Sequence, residues 1–147
     1  MSLQSGPMQI LLIEDSLTDR LLTLEALDHA RVPNRVSAVD DGADALAFLR
    51  REGTFHDAPR PDLILLDLNM PRKDGREVLA EIKADPELQS IPVIVFSSSA
   101  APADVKTAYG LHANCYLTKP VNFEDFARVV RLVELFWVEN VTLPPRP

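Results

Sequence analysis

Five side chains with chemical potential follow short apolar segments of this sequence, at points where buried strands are predicted to end. Glu14 and Asp15 follow the first segment, Asp67 the third, Ser97 the fourth and Lys119 the fifth. Because the carboxyl ends of parallel strands lie along one edge of a sheet, we expect these side chains to converge there. Clustered carboxylates raise one another's pKa unless a cation neutralises them, and oxygen ligands without histidine or cysteine suit Mg²⁺.

Asp67 is the predicted nucleophile of this group. Its carboxylate can attack a phosphoryl group and form an aspartyl phosphate, a reaction that depends mainly on positioning and charge neutralisation. Lys119 would supply positive charge to the phosphoryl oxygens, while the Ser97 hydroxyl and the Ser98 backbone N–H would donate hydrogen bonds. Each feature has an ordinary alternative, namely a solvated acidic helix N-terminus, an Asx turn at Asp67 or a surface lysine. Four predicted strand ends carry, in order, the residue types that this chemistry needs: an acid, an acid, a hydroxyl and a lysine. This agreement favours phosphoryl transfer.

The elements that would position these residues alternate along the chain. Short apolar runs are separated by segments of helical periodicity, the pattern of parallel strands buried on both faces by crossover helices. This pattern predicts an α/β fold with a doubly wound five-stranded parallel sheet and helices on both faces. Strands are predicted at residues 10–13, 35–39, 63–66, 93–96 and 115–117, and helices at 17–27, from 42 to near 53, around 78–82, at 103–111 and at 123–138.

Length, composition and charge restrict the possible functions. The 147 residues fit one domain, and 46% hydrophobic with 25% charged residues is typical of a folded globular chain. The formal net charge of −7 disfavours nucleic acid as a partner, because phosphate backbones require a basic surface. One cysteine allows no intrachain disulfide and no apolar run could span a membrane, so we expect a cytoplasmic protein without a membrane partner. The expected division is a flexible lead-in at 1–7, one domain at 8–138 and a Pro-rich tail at 139–147.

The motifs resemble those of the receiver domains of two-component response regulators. The resemblance covers about residues 8–138 and is carried by Ile13-Glu14-Asp15, residues 62–71, Asp74-Gly75, Ser97 and Lys119-Pro120. It implies the flavodoxin-like strand order 2-1-3-4-5, with Asp67 as the phosphoacceptor and Mg²⁺ as the cofactor. It further implies a metal site, a phosphate-binding lysine and a switch pair: Glu14, Asp15, Asp67 and the Asn69 backbone carbonyl for the metal, Lys119 for the phosphate, and Ser97 with Tyr116 for the switch.

Such a protein is a phosphorylation switch rather than a dedicated enzyme. A histidine kinase would donate its phosphoryl group to Asp67, and the receiver would catalyse only its phosphorylation from small donors and its own dephosphorylation. Because no output domain follows residue 138, we expect the signal to leave through contact with a downstream protein. A phosphate shuttle in a phosphorelay and a phosphorylation-independent pseudo-receiver are the alternatives. A haloacid dehalogenase-like phosphatase is disfavoured, because it needs an aspartate where this chain has Asn69.

Three segments resemble a narrower group within that family. Residues 69–79, residues 85–92 and Phe136-Trp137 are similar to single-domain receivers that are paired with bacterial phytochrome histidine kinases. This resemblance implies a bacteriophytochrome as the kinase partner. The chromophore of such systems belongs to the kinase, so we expect no feature of this sequence to indicate light detection.

The last predicted helix carries a second candidate functional surface. Successive residues of an α-helix are rotated by about 100° around its axis. With this rotation one side of the predicted helix is apolar and faces the core: Phe126, Val130, Val133 and Trp137, with Phe123 beside them. Three apolar residues fall instead on the side that faces water, which favours an interface: Leu132, Leu135 and Val138. A symmetric homodimer is the favoured interpretation, because two-fold pairing is the commonest oligomeric form. Scattered surface hydrophobes, or a groove covered by the Pro-rich tail, are the alternative.

Overall fold

The computed structural model describes residues 6–147, in which five strands form one parallel sheet. The strands are β1 (Met8–Ile13), β2 (Asn34–Val39), β3 (Leu63–Leu66), β4 (Val93–Ser97) and β5 (Cys115–Thr118). Their order across the sheet is β2-β1-β3-β4-β5, and every neighbouring pair runs parallel. The predicted doubly wound fold with strand order 2-1-3-4-5 is therefore confirmed.

Helices connect the strands and continue the chain after β5. They are α1 (Leu17–Asp28), α2 (Gly42–Arg50), α3 (Gly75–Ala84), α4 (Pro102–Gly110) and α5 (Phe123–Val133), with a 3₁₀ turn at Gly53–Phe55. Helix α2 ends earlier than predicted, because Arg51 adopts a left-handed backbone conformation with φ of 55° and caps the helix. Within residues 6–147, no helix has the length and apolar character needed to cross a membrane.

Alternate residues of the strands face opposite sides of the sheet and build two apolar layers. On one side the strands pack against α2, α3 and α4, with Leu46 and Leu79 in the buried cluster. On the other side they pack against α1 and α5, with Leu27 and Phe126 in the buried cluster. Because both faces of the sheet are covered, polar groups gather at the ends of the strands.

The end of α5 departs from the periodicity that the sequence predicts. After Val133 the chain forms a π-helical turn, Glu134–Val138, in which the N–H of Glu139 donates to the Glu134 carbonyl at an N···O distance of 3.0 Å. A π turn closes over five residues rather than four, so it rotates the following side chains around the helix axis. Val138 is consequently only 4% exposed and packs in the same cluster as Val133. The prediction that Val138 belongs to an exposed interface is wrong.

The remaining exposed apolar residues of this helix form a patch around its end. Leu132 is 55% exposed and Leu135 42%, as predicted, and Phe136 in the π turn is exposed as well. Phe123, predicted beside the core, is 62% exposed. It is the first residue of α5, and helical side chains lean toward the N-terminus, so its ring projects beyond the covered part of the sheet.

The C-terminal segment returns to the opposite end of the sheet. The Arg146 guanidinium donates to both carboxylate oxygens of Asp62, at 2.9 and 2.7 Å, and to the Pro7 carbonyl at 3.1 Å. Asp62 is buried just before β3 and also accepts from the Gln9 N–H at 2.8 Å. This contact ties residue 146 to the amino-terminal edge of the sheet. Most of the predicted lead-in, residues 1–5, lies outside the described residues.

Candidate functional site

The carboxyl ends of β1, β3, β4 and β5 bring the predicted site residues to one edge of the sheet. Ile13 pairs with Leu66, so the residues that follow these strands leave the sheet at the same level. Two further hydrogen bonds extend the ladders past the strand ends. The Asp67 N–H donates to the Ile13 carbonyl at 3.0 Å, and the Lys119 N–H donates to the Ser97 carbonyl at 2.7 Å.

Three acidic side chains form a cluster at this edge. One carboxylate oxygen from each of Glu14, Asp15 and Asp67 lies within 4.8 Å of the other two. Glu14 and Asp67 are buried, whereas Asp15 is exposed. Asn69 is exposed on the loop after Asp67, and its N–H donates to Asp67 Oδ1 at 3.4 Å. The cluster is thus open to solvent on the side of Asp15 and closed on the side of Glu14.

Lys119 is the buried cation of the site. Its Nζ lies 2.5 Å from Glu14 Oε1, 2.9 Å from Asp19 Oδ2 and 3.7 Å from Asp67 Oδ2. The same nitrogen lies 5.9 Å from the centroid of the Phe96 ring, within the range of a cation–π contact. Lys119 is thereby held over the carboxylate cluster by three acids and one aromatic ring.

Asp19 is a member of the site that the sequence analysis did not single out for this role. The Ser16-x-x-Asp19 spacing resembles a capping box, and the Ser16 hydroxyl does accept from the Asp19 N–H at 3.3 Å. The Ser16 N–H, however, donates to Glu14 Oε2 at 3.1 Å, which leaves the Asp19 carboxylate free to bind Lys119. The sequence signal that could have identified Asp19 as a site residue is its position, one helical turn after the acidic pair Glu14 and Asp15.

Burial and crowding change the acidity of the site residues. Burial raises the pKa of Glu14 to about 7, although the hydrogen bond from Lys119 opposes this shift. Burial also raises the pKa of Asp67 above its usual range, against the attraction of Lys119. For Lys119 burial alone would lower the pKa, but the carboxylates of Glu14 and Asp67 hold it above its ordinary value.

The groups that face one another leave this site with an excess of negative charge. Four carboxylates face the single ammonium group of Lys119, and the buried ones retain protons more readily than free carboxylic acids do. An additional cation would relieve the repulsion. The donors are all oxygen atoms and one side of the cluster is open, which fits a hard divalent cation that keeps some of its water ligands.

Gly75 fixes the loop that carries Asp67. Its N–H donates to the Leu68 carbonyl at 2.9 Å. A Cβ atom at this position would lie 2.3 Å from the Asp67 carbonyl oxygen and 2.7 Å from the Leu68 Cα, so no residue with a side chain fits without displacing the backbone. Asp74 precedes it and caps α3, accepting from the Arg76 N–H at 3.0 Å. The Asp-Gly pair therefore sets the approach of α3 to the backbone of Asp67.

The two predicted switch residues meet at a residue that the sequence analysis did not single out. Ser97 is fully buried, and its Oγ accepts from the Ser99 N–H at 3.3 Å. Tyr116 is half-buried against the core, and its hydroxyl donates to the Ser99 carbonyl at 2.7 Å. Both contacts use peptide groups of Ser99, so they depend on its backbone position rather than on its type.

Comparisons with known proteins show which proteins this chain is similar to. Residues 10–131 match the family described as response regulator receiver domain. The chain is 50% identical over 145 residues to the response regulator Rcp1 of Synechocystis sp., covering 98% of this chain and 99% of Rcp1. The Mn²⁺-bound crystal structure of Rcp1 gives a TM-score of 0.92 at 50% identity, covering 94% of this chain and 99% of that one. The phosphorylated cyanobacterial phytochrome response regulator RcpA also gives 0.92 at 50% identity, covering 95% and 99%.

Proposed function

The chain belongs to the family of response regulator receiver domains, and on that basis we propose that Asp67 accepts a phosphoryl group from a histidine kinase. Family membership confirms the resemblance of the motifs, including the similarity to phytochrome response regulators. The observation that supports Asp67 itself is its position. It is a buried carboxylate at the end of β3, clustered with Glu14 and Asp15 and 3.7 Å from the Lys119 ammonium.

The proposed reaction transfers a phosphoryl group between two side chains. A carboxylate oxygen of Asp67 forms a bond to phosphorus while the bond between phosphorus and the kinase imidazole nitrogen breaks, and that nitrogen keeps the electron pair. Lys119 is close enough to Asp67 to contact the phosphoryl oxygens after a small movement. The buried Ser97, the last residue of β4, lies at the same edge, and its hydroxyl would donate a further hydrogen bond. These residues position and neutralise the group and do not act as acid or base.

We assign Mg²⁺ as the cofactor of this reaction. Glu14, Asp15, Asp67 and the Asn69 backbone carbonyl would hold it, and when bound it would neutralise charge on the phosphoryl oxygens. The all-oxygen donor set and the exposure of Asp15 support a cation that retains water ligands. The similar protein Rcp1 has been crystallised in a Mn²⁺-bound form, which supports the assignment of a divalent ion to this chain.

The proposed donor is the histidine kinase of a bacterial phytochrome. Similarity to RcpA, a phosphorylated cyanobacterial phytochrome response regulator, supports this assignment. We place the protein in the cytoplasm with such a kinase. Its own chemistry would be limited to phosphorylation from small donors and to hydrolysis of its aspartyl phosphate. The signal would then pass by contact to a downstream protein, or, as the alternative, the phosphoryl group would pass to another histidine in a phosphorelay.

A homodimer is the second part of the proposal. The exposed apolar patch of Leu132, Leu135 and Phe136 lies at the end of α5. Exposed apolar residues that lie close together at helical spacing are typical of protein interfaces, and two-fold pairing is the commonest way to cover them. A second copy of the chain is therefore the proposed occupant of this patch.

Incubation with Mg²⁺ and acetyl phosphate, followed by intact mass measurement, tests the proposed chemistry. We expect wild type to gain one phosphoryl group, and we expect Asp67→Asn or a chelator to abolish the gain. Asp57→Asn is a matched control, because that carboxylate is exposed and remote from the site, and it should be phosphorylated like wild type. A phosphoryl gain that persists in Asp67→Asn would contradict the proposal.

A further inference from the structure

Ser99 connects the two predicted switch residues, and its own side chain is held by a partner on α4. The Ser99 hydroxyl donates to Asp104 Oδ2 at 2.5 Å and accepts from the Ala101 N–H at 3.2 Å. Ala101 is the N-cap residue that precedes α4, and its side chain makes no capping hydrogen bond. These hydrogen bonds of Ser99 connect the loop after β4 to the first turn of α4.

Asp104 is bound in turn by a cation on α3. Its Oδ1 accepts from the Arg76 guanidinium at 2.8 Å, and the same guanidinium contacts both carboxylate oxygens of Asp74 at 3.1 Å. Ser99 and Arg76 lower the pKa of Asp104, so this carboxylate is a charged acceptor at neutral pH. Charge-assisted hydrogen bonds of this kind are stronger and shorter than neutral ones. All three side chains are partly buried, which limits their screening by solvent.

At the other end of this series of contacts, Arg76 lies next to the loop that carries Asp67. Arg76 follows Gly75, whose backbone packs directly on the backbone of Asp67 and Leu68. The side chains of Arg76, Asp104 and Ser99, which we call the latch, thus join the start of α3 to the loop that follows Ser97. The carbonyl of Ser99, which binds the Tyr116 hydroxyl, is held in place by the same contacts.

We propose that Arg76, Asp104 and Ser99 are positioning residues that hold Tyr116 in its inner position and thereby favour phosphorylation at Asp67. The inner position is the one in this structure, in which the Tyr116 hydroxyl donates to the Ser99 carbonyl. The proposal rests on the function proposed above for Asp67 and on the switch role that the family resemblance implies for Ser97 and Tyr116. A two-state switch responds to a group that stabilises one state, and the effect on a second site is reciprocal. If the state with Tyr116 in the inner position is the one that reacts with the phosphodonor, the rate of phosphorylation scales with the population of that state. Contacts that fix Ser99 for Tyr116 then speed phosphorylation.

Substitutions of the latch residues distinguish a positioning role from a general effect on the stability of the fold. Asp104→Asn keeps the shape of the side chain but removes its charge. Ser99→Ala removes the hydroxyl that binds Asp104 and keeps the carbonyl that binds Tyr116. The matched control is Asp125→Asn, which alters another carboxylate bound by an arginine, Arg128, in the first turn of α5.

Two measurements report the two ends of the proposed coupling. The chain has two tyrosines, so ¹⁹F spectra of protein labelled with fluorotyrosine contain two signals, and Tyr116→Phe identifies the one from Tyr116. We expect Asp104→Asn and Ser99→Ala to move this signal toward its value in unfolded protein. We also expect each to slow phosphorylation by acetyl phosphate about fivefold, near the lower end of typical coupling effects. Because they break one connected path, the double variant should be no slower than the slower single variant.

The outcomes distinguish the latch from the function on which it rests. If wild type gains no phosphoryl group, the proposed function fails. If wild type is phosphorylated and both latch variants keep its rate and its Tyr116 signal, the latch alone is overturned. Strictly additive effects, or an equal effect of Asp125→Asn, also overturn it, because the change would then reflect general destabilisation. Arg76→Lys keeps the positive charge and should restore part of the rate lost in Arg76→Ala.

Discussion

Lys119 Nζ lies 2.5 Å from Glu14 Oε1, a shorter contact than the 3.7 Å that separates it from Asp67 Oδ2. In this structure the buried ammonium is therefore bound mainly to an acid that is not the proposed nucleophile. A phosphoryl group on Asp67 would add anionic oxygens within reach of the same nitrogen. Glu14 can thus hold Lys119 in place until the phosphoryl group competes for it.

Lys119→Met tests this arrangement. The substitution keeps the length of the side chain and removes its charge, so we expect phosphorylation by acetyl phosphate to slow about 100-fold, as when an electrostatic stabiliser of a transition state is lost. The measurement is the rate of gain of phosphoryl mass at fixed Mg²⁺. Lys106→Met, at an exposed lysine of α4, is the control and should keep the wild-type rate. A wild-type rate in Lys119→Met would show that the ammonium plays no part.

Removal of the metal should change stability as well as chemistry. A cation that binds only the folded state raises the free energy of unfolding, by about 2.7 kcal/mol when its concentration is 100 times its dissociation constant. We expect Mg²⁺ to raise the melting temperature of wild type and a chelator to reverse this. Asp15→Asn should need a higher Mg²⁺ concentration for the same rise, while its stability without metal stays close to wild type because Asp15 is exposed. An unchanged Mg²⁺ response in Asp15→Asn would remove Asp15 from the metal site.

The Arg146–Asp62 contact predicts a specific acid sensitivity. Burial alone would raise the pKa of Asp62, but hydrogen bonds from Arg146 and the Gln9 N–H bring it below its ordinary value of 3.8. A folded-state pKa below the unfolded value means that the ionised carboxylate stabilises the fold. That contribution is present above the ordinary value and is lost as pH falls through the folded-state value.

Asp62→Asn should therefore lose less stability than wild type when the pH is lowered from about 5 to about 2. The free energy of unfolding measured in urea at each pH checks this, and Arg146→Leu should flatten the pH dependence in the same way. Asp28→Asn, at an exposed position, serves as the control and should keep the wild-type slope. Identical slopes for wild type and Asp62→Asn would contradict the expected stabilisation.

The apolar patch at the end of α5 predicts the oligomeric state. We expect wild type to sediment as a dimer, and a variant with both Leu132→Glu and Leu135→Glu to sediment as a monomer that keeps the wild-type circular dichroism spectrum. Val121→Glu alters a fully exposed apolar residue just before α5 and should remain dimeric. Equal sedimentation of wild type and the double variant would contradict the dimer. Val138→Glu should instead destabilise the fold, because it places a charge in the core.

The sequence predicts the strands and their acidic ends for local reasons. Residues 63–66 are apolar on both faces of the sheet, and Asp67 ends this run abruptly, so the position of the nucleophile follows directly from the end of a buried strand. Parallel pairing then brings Glu14 and Lys119 to the same edge without further information. These parts of the site depend only on periodicity and on the geometry of parallel sheets.

Other parts depend on contacts that periodicity does not encode. Asp19 and Lys119 are 100 residues apart, and their contact depends on where α1 starts relative to β5. The π turn shifts Val138 to the core, although a uniform helix of 100° per residue would expose it. The link from Ser99 through Asp104 to Arg76 joins three segments, each of which alone resembles an ordinary helix N-terminus or loop.

The most direct test of the account is to locate the phosphoryl group itself. Wild type would be phosphorylated by acetyl phosphate with Mg²⁺ and reduced with borohydride, which converts an aspartyl phosphate to homoserine, and the peptides would then be sequenced by mass spectrometry. The account predicts homoserine at position 67 and unmodified acids at positions 14, 15 and 19. The corresponding amino alcohol at any of those positions with intact Asp67, which is homoserine from an aspartate and the one-carbon-longer alcohol from Glu14, would contradict Asp67 as the phosphoacceptor. A phosphoryl group that resists reduction would contradict it as well.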